Sequence, residues 1–114
     1  MSMKEITFSQ LDEVLYYEKQ PNGLEVYILP KPGFNKTFAT FTTKYGSVDN
    51  WFKPLGKSAS KKVPDGIAHF LEHKMFEKQD GDVFQQFSRQ GASANAFTSF
   101  TRTAYLFSCT SNFE

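Results

Sequence analysis

The sequence predicts an α+β domain in which helices pack on one face of a mixed or antiparallel β-sheet. Segments rich in β-branched and aromatic residues occur toward both ends of the chain, and a helical stretch separates them. Strands and helices that are segregated in this way are typical of the α+β class. The predicted strands are residues 14–19, 24–29, 37–45, 93–100 and 103–110.

The first two strands are predicted to form a hairpin. Val14–Lys19 and Leu24–Leu29 flank the Pro-Asn-Gly sequence at 21–23. Asn-Gly between two β-rich runs favours a tight turn in which both central residues take positive φ. Thr37–Tyr45 alternates in the manner of a third strand, and the polar, lysine-bearing residues 46–64 predict a loop.

Two helices are predicted between the strands. Asp65 is placed to cap a helix over Gly66–Lys78, and Asp82 is placed to cap a shorter helix over Val83–Gln90. Gly91 suits the end of the second helix because glycine readily adopts the left-handed conformation found there.

Charge and composition bear on the binding partners and the cellular setting that the sequence predicts. Thirteen basic and twelve acidic residues leave a net charge of +1, so charge gives no reason to expect binding to nucleic acid or to an anionic membrane. The chain has no apolar run of membrane-spanning length, and its first twenty residues lack the apolar core of a signal peptide. The single cysteine, Cys109, cannot form an internal disulfide, which favours a reducing, cytoplasmic setting.

Both histidines of the chain lie in one pentad, His-Phe-Leu-Glu-His at 69–73. Residues three and four apart are neighbours on a helix surface. His69 and His73 can therefore hold one zinc ion from the same side, with each nitrogen about 2.0–2.1 Å from the metal. Glu72 is left beside that ion, where it can take a proton from an activated water. This spacing is the inverted form of the zinc-protease helix motif.

The rest of this helix predicts which side is buried. An apolar arc lies opposite the histidines, so the polar cluster is expected to face away from the core. Lys74 falls inside that arc and is inconsistent with burial unless its side chain reaches solvent or pairs with an acid. The expected buried stripe consists of Ile67, Phe70, Leu71 and Met75.

Residues beyond the pentad resemble the pitrilysin-type zinc peptidases, which include insulysin and the mitochondrial processing peptidases. The similar pieces occur in the same order over roughly residues 14–110, and the run after His73 looks most like a bacterial, Gram-positive branch. The pieces are Asn22-Gly23-Leu24 with Val26, Gly46-Ser47, Phe76, Gly91 to Ser99 (similar to Gly-Gly-x-x-Asn-Ala-x-Thr), and Thr103 with Tyr105.

The resemblance implies an incomplete site on an incomplete domain. Members of the family bind Zn²⁺ through the two histidines and a Glu on a later helix, which would lie beyond Glu114. Residues 1–114 are then expected to be the N-terminal part of one metallopeptidase catalytic domain of the processing-peptidase type. The chain would act with the rest of its own polypeptide, and a homologous paired subunit is a further expected partner.

The same resemblance implies a zinc endopeptidase that hydrolyses peptide bonds with metal-activated water. Glu72 is the expected catalytic general base, and His69 and His73 are the expected metal ligands. In this family a peptide or small-protein substrate adds as an extra strand to a sheet edge. The positions that correspond to that edge are Asn95, Ala96, Phe97 and Thr98; an ordinary packed strand is the alternative interpretation.

Two other functions remain open at the level of sequence. S-ribosylhomocysteine lyases also carry His-x-x-Glu-His, but they need a further histidine and an active-site cysteine, and Cys109 stands alone. A non-catalytic fragment or subunit that binds peptide or partner is the second alternative, and the 114-residue chain alone is expected to be inactive. A domain cut midway exposes apolar surface, so self-association is also expected.

Overall fold

The computed structural model describes residues 3–79 and 81–111, which form two compact units. The first unit ends at residue 34 and the second begins at residue 35. Antiparallel sheets and two helices make up these described residues, so the predicted α+β class is confirmed. No helix among the described residues is long and apolar enough to span a bilayer.

The first unit is a three-stranded antiparallel meander. Its strands are β1 (Lys4–Phe8), β2 (Glu13–Lys19) and β3 (Glu25–Ile28), paired in the order β1-β2-β3. β1 was not predicted, because its alternating charges and single central Ile6 give a weak strand pattern before its partner is known.

The predicted hairpin between β2 and β3 is present, but its turn differs from the expected type. Gly23 has φ +90°, whereas Asn22 does not take positive φ. The Asn22 side chain instead accepts a hydrogen bond of 3.0 Å from the Leu24 N–H. The Gly23 N–H donates to the Gln20 carbonyl, and the Gln20 N–H donates to the Leu24 carbonyl, each at 2.8 Å. The connection is therefore a three-residue loop, which needs positive φ only at Gly23.

The second unit is built on a three-stranded antiparallel sheet. Its strands are β4 (Thr37–Thr43), β9 (Ser93–Thr98) and β10 (Thr103–Cys109), and β10 lies in the middle. Because β10 has a neighbour on each side, it contains most of the buried residues in the described part of the chain. These are Thr103, Ala104, Ser108 and Cys109.

Both helices pack on one face of this sheet, as the sequence predicted. They are α1 (Ile67–Phe76) and α2 (Val83–Arg89). Phe76 of α1 packs against Tyr105, and Phe87 of α2 packs against Phe107, with ring centroids 5.8 Å and 5.6 Å apart. Tyr105 and Phe107 are two residues apart on β10 and therefore point to the same face.

The start of α1 corrects one prediction. Gly66, in the left-handed conformation with φ +82°, precedes the helix and supplies no side-chain cap. Asp65, the predicted cap, accepts a hydrogen bond of 2.8 Å from the Asn50 side chain instead. For α2 the prediction is confirmed, because Asp82 accepts a hydrogen bond of 2.8 Å from the Phe84 N–H.

The predicted loop over residues 46–64 contains a short hairpin and is anchored at its start. Trp51–Phe52 (β5) pairs with Lys61–Lys62 (β6), and the last short pair, Glu77–Lys78 (β7) with Gly81–Asp82 (β8), follows α1. At Gly46 a Cβ atom would lie 2.4 Å from the Phe100 carbonyl oxygen. Only glycine therefore lets the chain approach the β9–β10 turn so closely.

Candidate metal centre

The sheet-facing side of α1 carries the site. Ala68, Glu72 and Phe76 are spaced four residues apart and share this side. Ala68 is 2% exposed and Glu72 is 9% exposed. Phe76 stacks on Phe84 with ring centroids 4.2 Å apart, which ties the end of α1 to α2.

The predicted buried stripe is wrong. Phe70, Leu71 and Met75 are 58%, 48% and 57% exposed, whereas Ile67 is half-buried. The small Ala68 side chain allows α1 to approach the sheet closely, and the Glu72 carboxylate then lies between helix and sheet. The expectation that the whole polar cluster faces away from the core fails for Glu72, although both histidines are exposed.

The two histidines converge as their spacing predicted. Their rings stack with centroids 4.8 Å apart, and their Nε2 atoms are 2.9 Å apart. One ligand atom from each of His69, Glu72 and His73 lies within 4.8 Å of the others. Within residues 3–79 and 81–111, this is the one group of three or more potential ligands brought so close together.

This donor set fits zinc. Two nitrogens bound to one tetrahedral zinc at about 2.0–2.1 Å lie about 3.3 Å apart, close to the 2.9 Å between the Nε2 atoms. Imidazole nitrogens are also among the ligand types found in catalytic zinc sites. A small separation of the two rings would therefore admit the ion without a change in the helix.

Glu72 is held by one hydroxyl. The Thr98 Oγ1 atom donates a short hydrogen bond to Glu72 Oε2, which compensates for moving a carboxylate out of water. Tyr105 lies nearby on β10, and burial, followed by the negative charge of Glu72, raises the pKa of its phenol. The carboxylate thus lies in a partly desolvated space between α1 and the sheet.

The strand β9 brings the second set of predicted residues to the site. It lies at the edge of the described sheet, with β10 as its neighbour on one side. The Ser99 N–H donates to the Arg102 carbonyl across the β9–β10 turn, at 2.8 Å. In an antiparallel pair hydrogen-bonded and non-hydrogen-bonded residues alternate from that point, so the backbone groups of Ala96 and Thr98 are directed away from β10.

The four positions of this strand divide between its two faces. Thr98 and Ala96 are half-buried on the helix side, whereas Asn95 and Phe97 are exposed on the other side. The Asn95 side chain accepts a hydrogen bond of 2.8 Å from the Ala96 N–H. An edge N–H that could pair with another strand is therefore covered by a side chain.

Lys74, near the end of α1, pairs with an acidic side chain, which is one of the two arrangements expected for a charge in the predicted apolar arc. Its ammonium donates to Glu77 at 2.5 Å and lies 5.7 Å from the centre of the Phe70 ring. Hydrogen bonding to Lys74, then the charge of Lys74, lowers the pKa of Glu77.

Beside His73 a cleft of about 480 Å³ extends to Phe76 and Phe84.

Sequence reasoning missed the hydroxyl of Thr98. The family resemblance implicates Thr98 only as part of a peptide-binding edge, through its backbone. The alternation of β9 was the available signal, since it puts Thr98 on the same side as Ala94 and Ala96, facing the helices. Its contact with Glu72 depends on the tertiary packing of α1.

Comparison with known proteins places this chain in a family. The sequence profile of Insulinase (Peptidase family M16) matches residues 55–113, which include the pentad and both strands β9 and β10. The chain belongs to this family of peptidases. Its zinc-peptidase resemblance is thereby confirmed, and the lyase alternative receives no support.

Individual relatives agree with the family. The chain is 74% identical over 112 residues to a Bacillus subtilis protein named "Uncharacterized zinc protease YmfH", covering 98% of this chain and 26% of that protein. It is 30% identical over 103 residues to the A-factor-processing enzyme of Saccharomyces cerevisiae, covering 85% of this chain and 9% of that enzyme.

A solved structure supports the fold. An M16-like peptidase from Alicyclobacillus acidocaldarius superposes with a TM-score of 0.79 at 44% identity, covering 94% of this chain and 24% of that chain. The present chain thus spans about a quarter of the length of this peptidase and of YmfH.

Proposed function

We propose that this chain supplies the metal-binding helix and the substrate edge of a zinc endopeptidase. The convergence of His69, Glu72 and His73 on one turn of α1, with ligand atoms within 4.8 Å of one another, carries the proposal. Membership of the M16 peptidases and the zinc-protease name of its relative YmfH support it.

Each residue of the pentad has a separate role in this proposal. His69 and His73 hold zinc through neutral imidazoles, in which the nitrogen that binds the metal carries no proton. The ion, when bound, supplies Lewis-acid polarisation and makes water a better nucleophile near neutral pH. Glu72 accepts the proton from the attacking water and passes it to the leaving amine.

The third protein ligand is proposed to come from a Glu beyond the present sequence. Catalytic zinc sites hold the ion through three protein ligands and keep one position open. In the described residues, only Glu72 joins the two histidines, and Glu72 is assigned to proton transfer. We therefore propose that residues 1–114 act within a longer metallopeptidase chain, alone or with a homologous subunit.

The substrate is proposed to be a peptide or small protein that adds as a strand to β9. The backbone groups of Ala96 and Thr98 are directed toward the open edge, and main-chain hydrogen bonding of this kind gives affinity with little dependence on sequence. A substrate carbonyl would take the place of the Asn95 side chain on the Ala96 N–H. The Phe97 side chain would lie on the face of β9 that points away from the helices.

The test uses the longer chain and measures zinc and peptide hydrolysis separately. Glu72→Gln should retain equimolar zinc by elemental analysis while kcat falls by about 10²–10⁴-fold or more, because the general base is lost. His69→Ala should lose both zinc and activity. Cleavage by Glu72→Gln at the wild-type rate would show that Glu72 is not the base.

Glu77→Gln is the matched control. It makes the same chemical change just after α1, at an exposed residue that pairs with Lys74. Activity should be retained. A variant pair in which Glu72→Gln and Glu77→Gln lose activity equally would argue for a general effect of charge rather than for a base at Glu72.

The non-catalytic alternative is tested by the same measurements. A longer chain that binds peptide but holds no zinc and cleaves nothing would be a binding subunit. For the 114-residue chain, weak zinc binding and no hydrolysis are expected, because two imidazoles hold the ion less tightly than three protein ligands. A cytoplasmic location stays a prediction from the single cysteine.

A further inference from the structure

The carboxylate of Glu72 is buried between α1 and the sheet, and one side chain holds it there. Glu72 is 9% exposed, and Thr98 donates its hydroxyl proton to Oε2 of the carboxylate. A buried carboxylate that lost its hydrogen-bond donor would be driven toward water or toward another rotamer. The orientation of Glu72 therefore depends on a residue 26 positions away in the chain.

Thr98 is placed to relate this carboxylate to a bound peptide. It is the last residue of β9, and its backbone N–H and C=O are directed toward the open edge of the sheet. Its side chain leaves the same Cα atom toward α1 and reaches Glu72. One residue thus connects the edge where a peptide would bind with the group that would accept the proton.

We propose that Thr98 is the positioning residue for Glu72, holding the carboxylate in register with a peptide bound along β9. This inference rests on the proposed function. The threonine proton stays on Oγ1, so Thr98 neither gives up nor receives a proton during hydrolysis. Its bond uses Oε2 and leaves the lone pairs of Oε1 for the attacking water.

The distance over which a general base can act gives the expected loss of kcat when Glu72 is no longer held by Thr98. A general base must be within hydrogen-bond reach of the proton that it removes. Displacement of a reacting group by about 1 Å can lower the rate by about 10²-fold. Peptide affinity should be spared, because the backbone groups of Thr98 on the edge do not depend on its hydroxyl.

The experiment compares Thr98→Val, Thr98→Ser and Thr103→Val in the longer, zinc-loaded chain. Thr98→Val removes the hydroxyl but keeps the shape, and kcat should fall by about 10²-fold at unchanged KM and zinc content. Thr98→Ser keeps the hydroxyl and should restore most of kcat. Thr98→Ala carries the same expectation as Thr98→Val, should the valine variant not fold.

Thr103→Val is the matched control. Thr103 lies directly opposite Thr98 on β10 and is buried, but its hydroxyl donates to the Tyr45 carbonyl at 2.8 Å. The substitution should lower the thermal midpoint, because it too removes a hydrogen bond, and should leave kcat unchanged. An equal loss of kcat in both valine variants would reduce Thr98 to a structural role and overturn the proposal.

A second readout is independent of activity. Crystal structures of the zinc-free longer chain should show the Glu72 carboxylate in its present position in the wild type and in Thr98→Ser, and displaced in Thr98→Val. An unmoved carboxylate, or full kcat in Thr98→Val, overturns the positioning role. Failure of the proposed function is recognised separately, since the wild-type longer chain would then hold no zinc and cleave nothing, or Glu72→Gln would itself retain activity.

Discussion

The buried and exposed sides of α1 are the reverse of what the hydrophobicity of their residues predicts. The side that contacts the sheet buries the carboxylate of Glu72, whereas the rest of the helix surface leaves Phe70, Leu71 and Met75 about half exposed. The buried side is possible because Ala68 is small and Thr98 supplies a hydrogen bond. The comparison shows that a helix can bury a hydrogen-bonded carboxylate while its large apolar side chains stay exposed.

Two phenylalanines of α1 test this difference most directly. Phe76 packs between Phe84 and Tyr105, whereas Phe70 is 58% exposed. Phe76→Ala should lower the free energy of unfolding by about 3 kcal/mol, at the lower end of the range for buried phenylalanine. Phe70→Ala should change it by about 0.5 kcal/mol or less. Urea unfolding of both variants measures the difference, and equal losses would contradict the assignment of the two sides.

The exposed side should make the 114-residue chain associate with itself. Leu71 and Met75 lie one helical turn apart and are both about half exposed, and apolar surface of this kind favours association. The double variant Leu71→Gln, Met75→Gln should weaken association by about tenfold or more, which corresponds to about 1.4 kcal/mol.

Light scattering over a concentration series measures the self-association of the parent chain and of the double variant. Gln86→Glu on α2, which alters an exposed polar residue, is the control and should leave association unchanged. A parent chain that is monomeric throughout the series would contradict the prediction.

The smallest expected effect concerns the charged residue on the exposed side. Lys74 lowers the pKa of Glu77 by hydrogen bonding and by its charge, so Lys74→Met should raise that pKa toward its ordinary value. A lowered folded-state pKa stabilises the fold above the unfolded pKa, and this contribution is lost as the pH falls through the folded pKa. It should be small because both side chains are exposed.

An NMR titration of the Glu77 side chain measures this shift. Lys78→Met, two residues beyond Phe76, is the control and should leave the pKa of Glu77 unchanged. A Glu77 pKa that is unchanged in Lys74→Met would show that the ion pair does not persist in solution.

Local patterns predicted most of the secondary structure. The hairpin around Gly23, the cap at Asp82 and the strands β9 and β10 depend on interactions between residues close in sequence, and each is present. The features that local patterns did not predict depend on a partner elsewhere in the structure, whether near or far along the chain. Asp65 bonds to Asn50 rather than to the helix, and β1 becomes a strand because β2 pairs with it.

The sequence by itself determined the proximity of His69, Glu72 and His73, because a spacing of three and four residues on any α-helix puts side chains on neighbouring positions. It also carried enough of the family pattern to identify the peptidase resemblance that the comparisons confirmed. Only the tertiary structure decided which side of α1 meets the sheet and that Thr98 reaches Glu72. Those features depend on how closely two distant segments approach, which is set by side-chain volume and by the need of a buried charge for a donor.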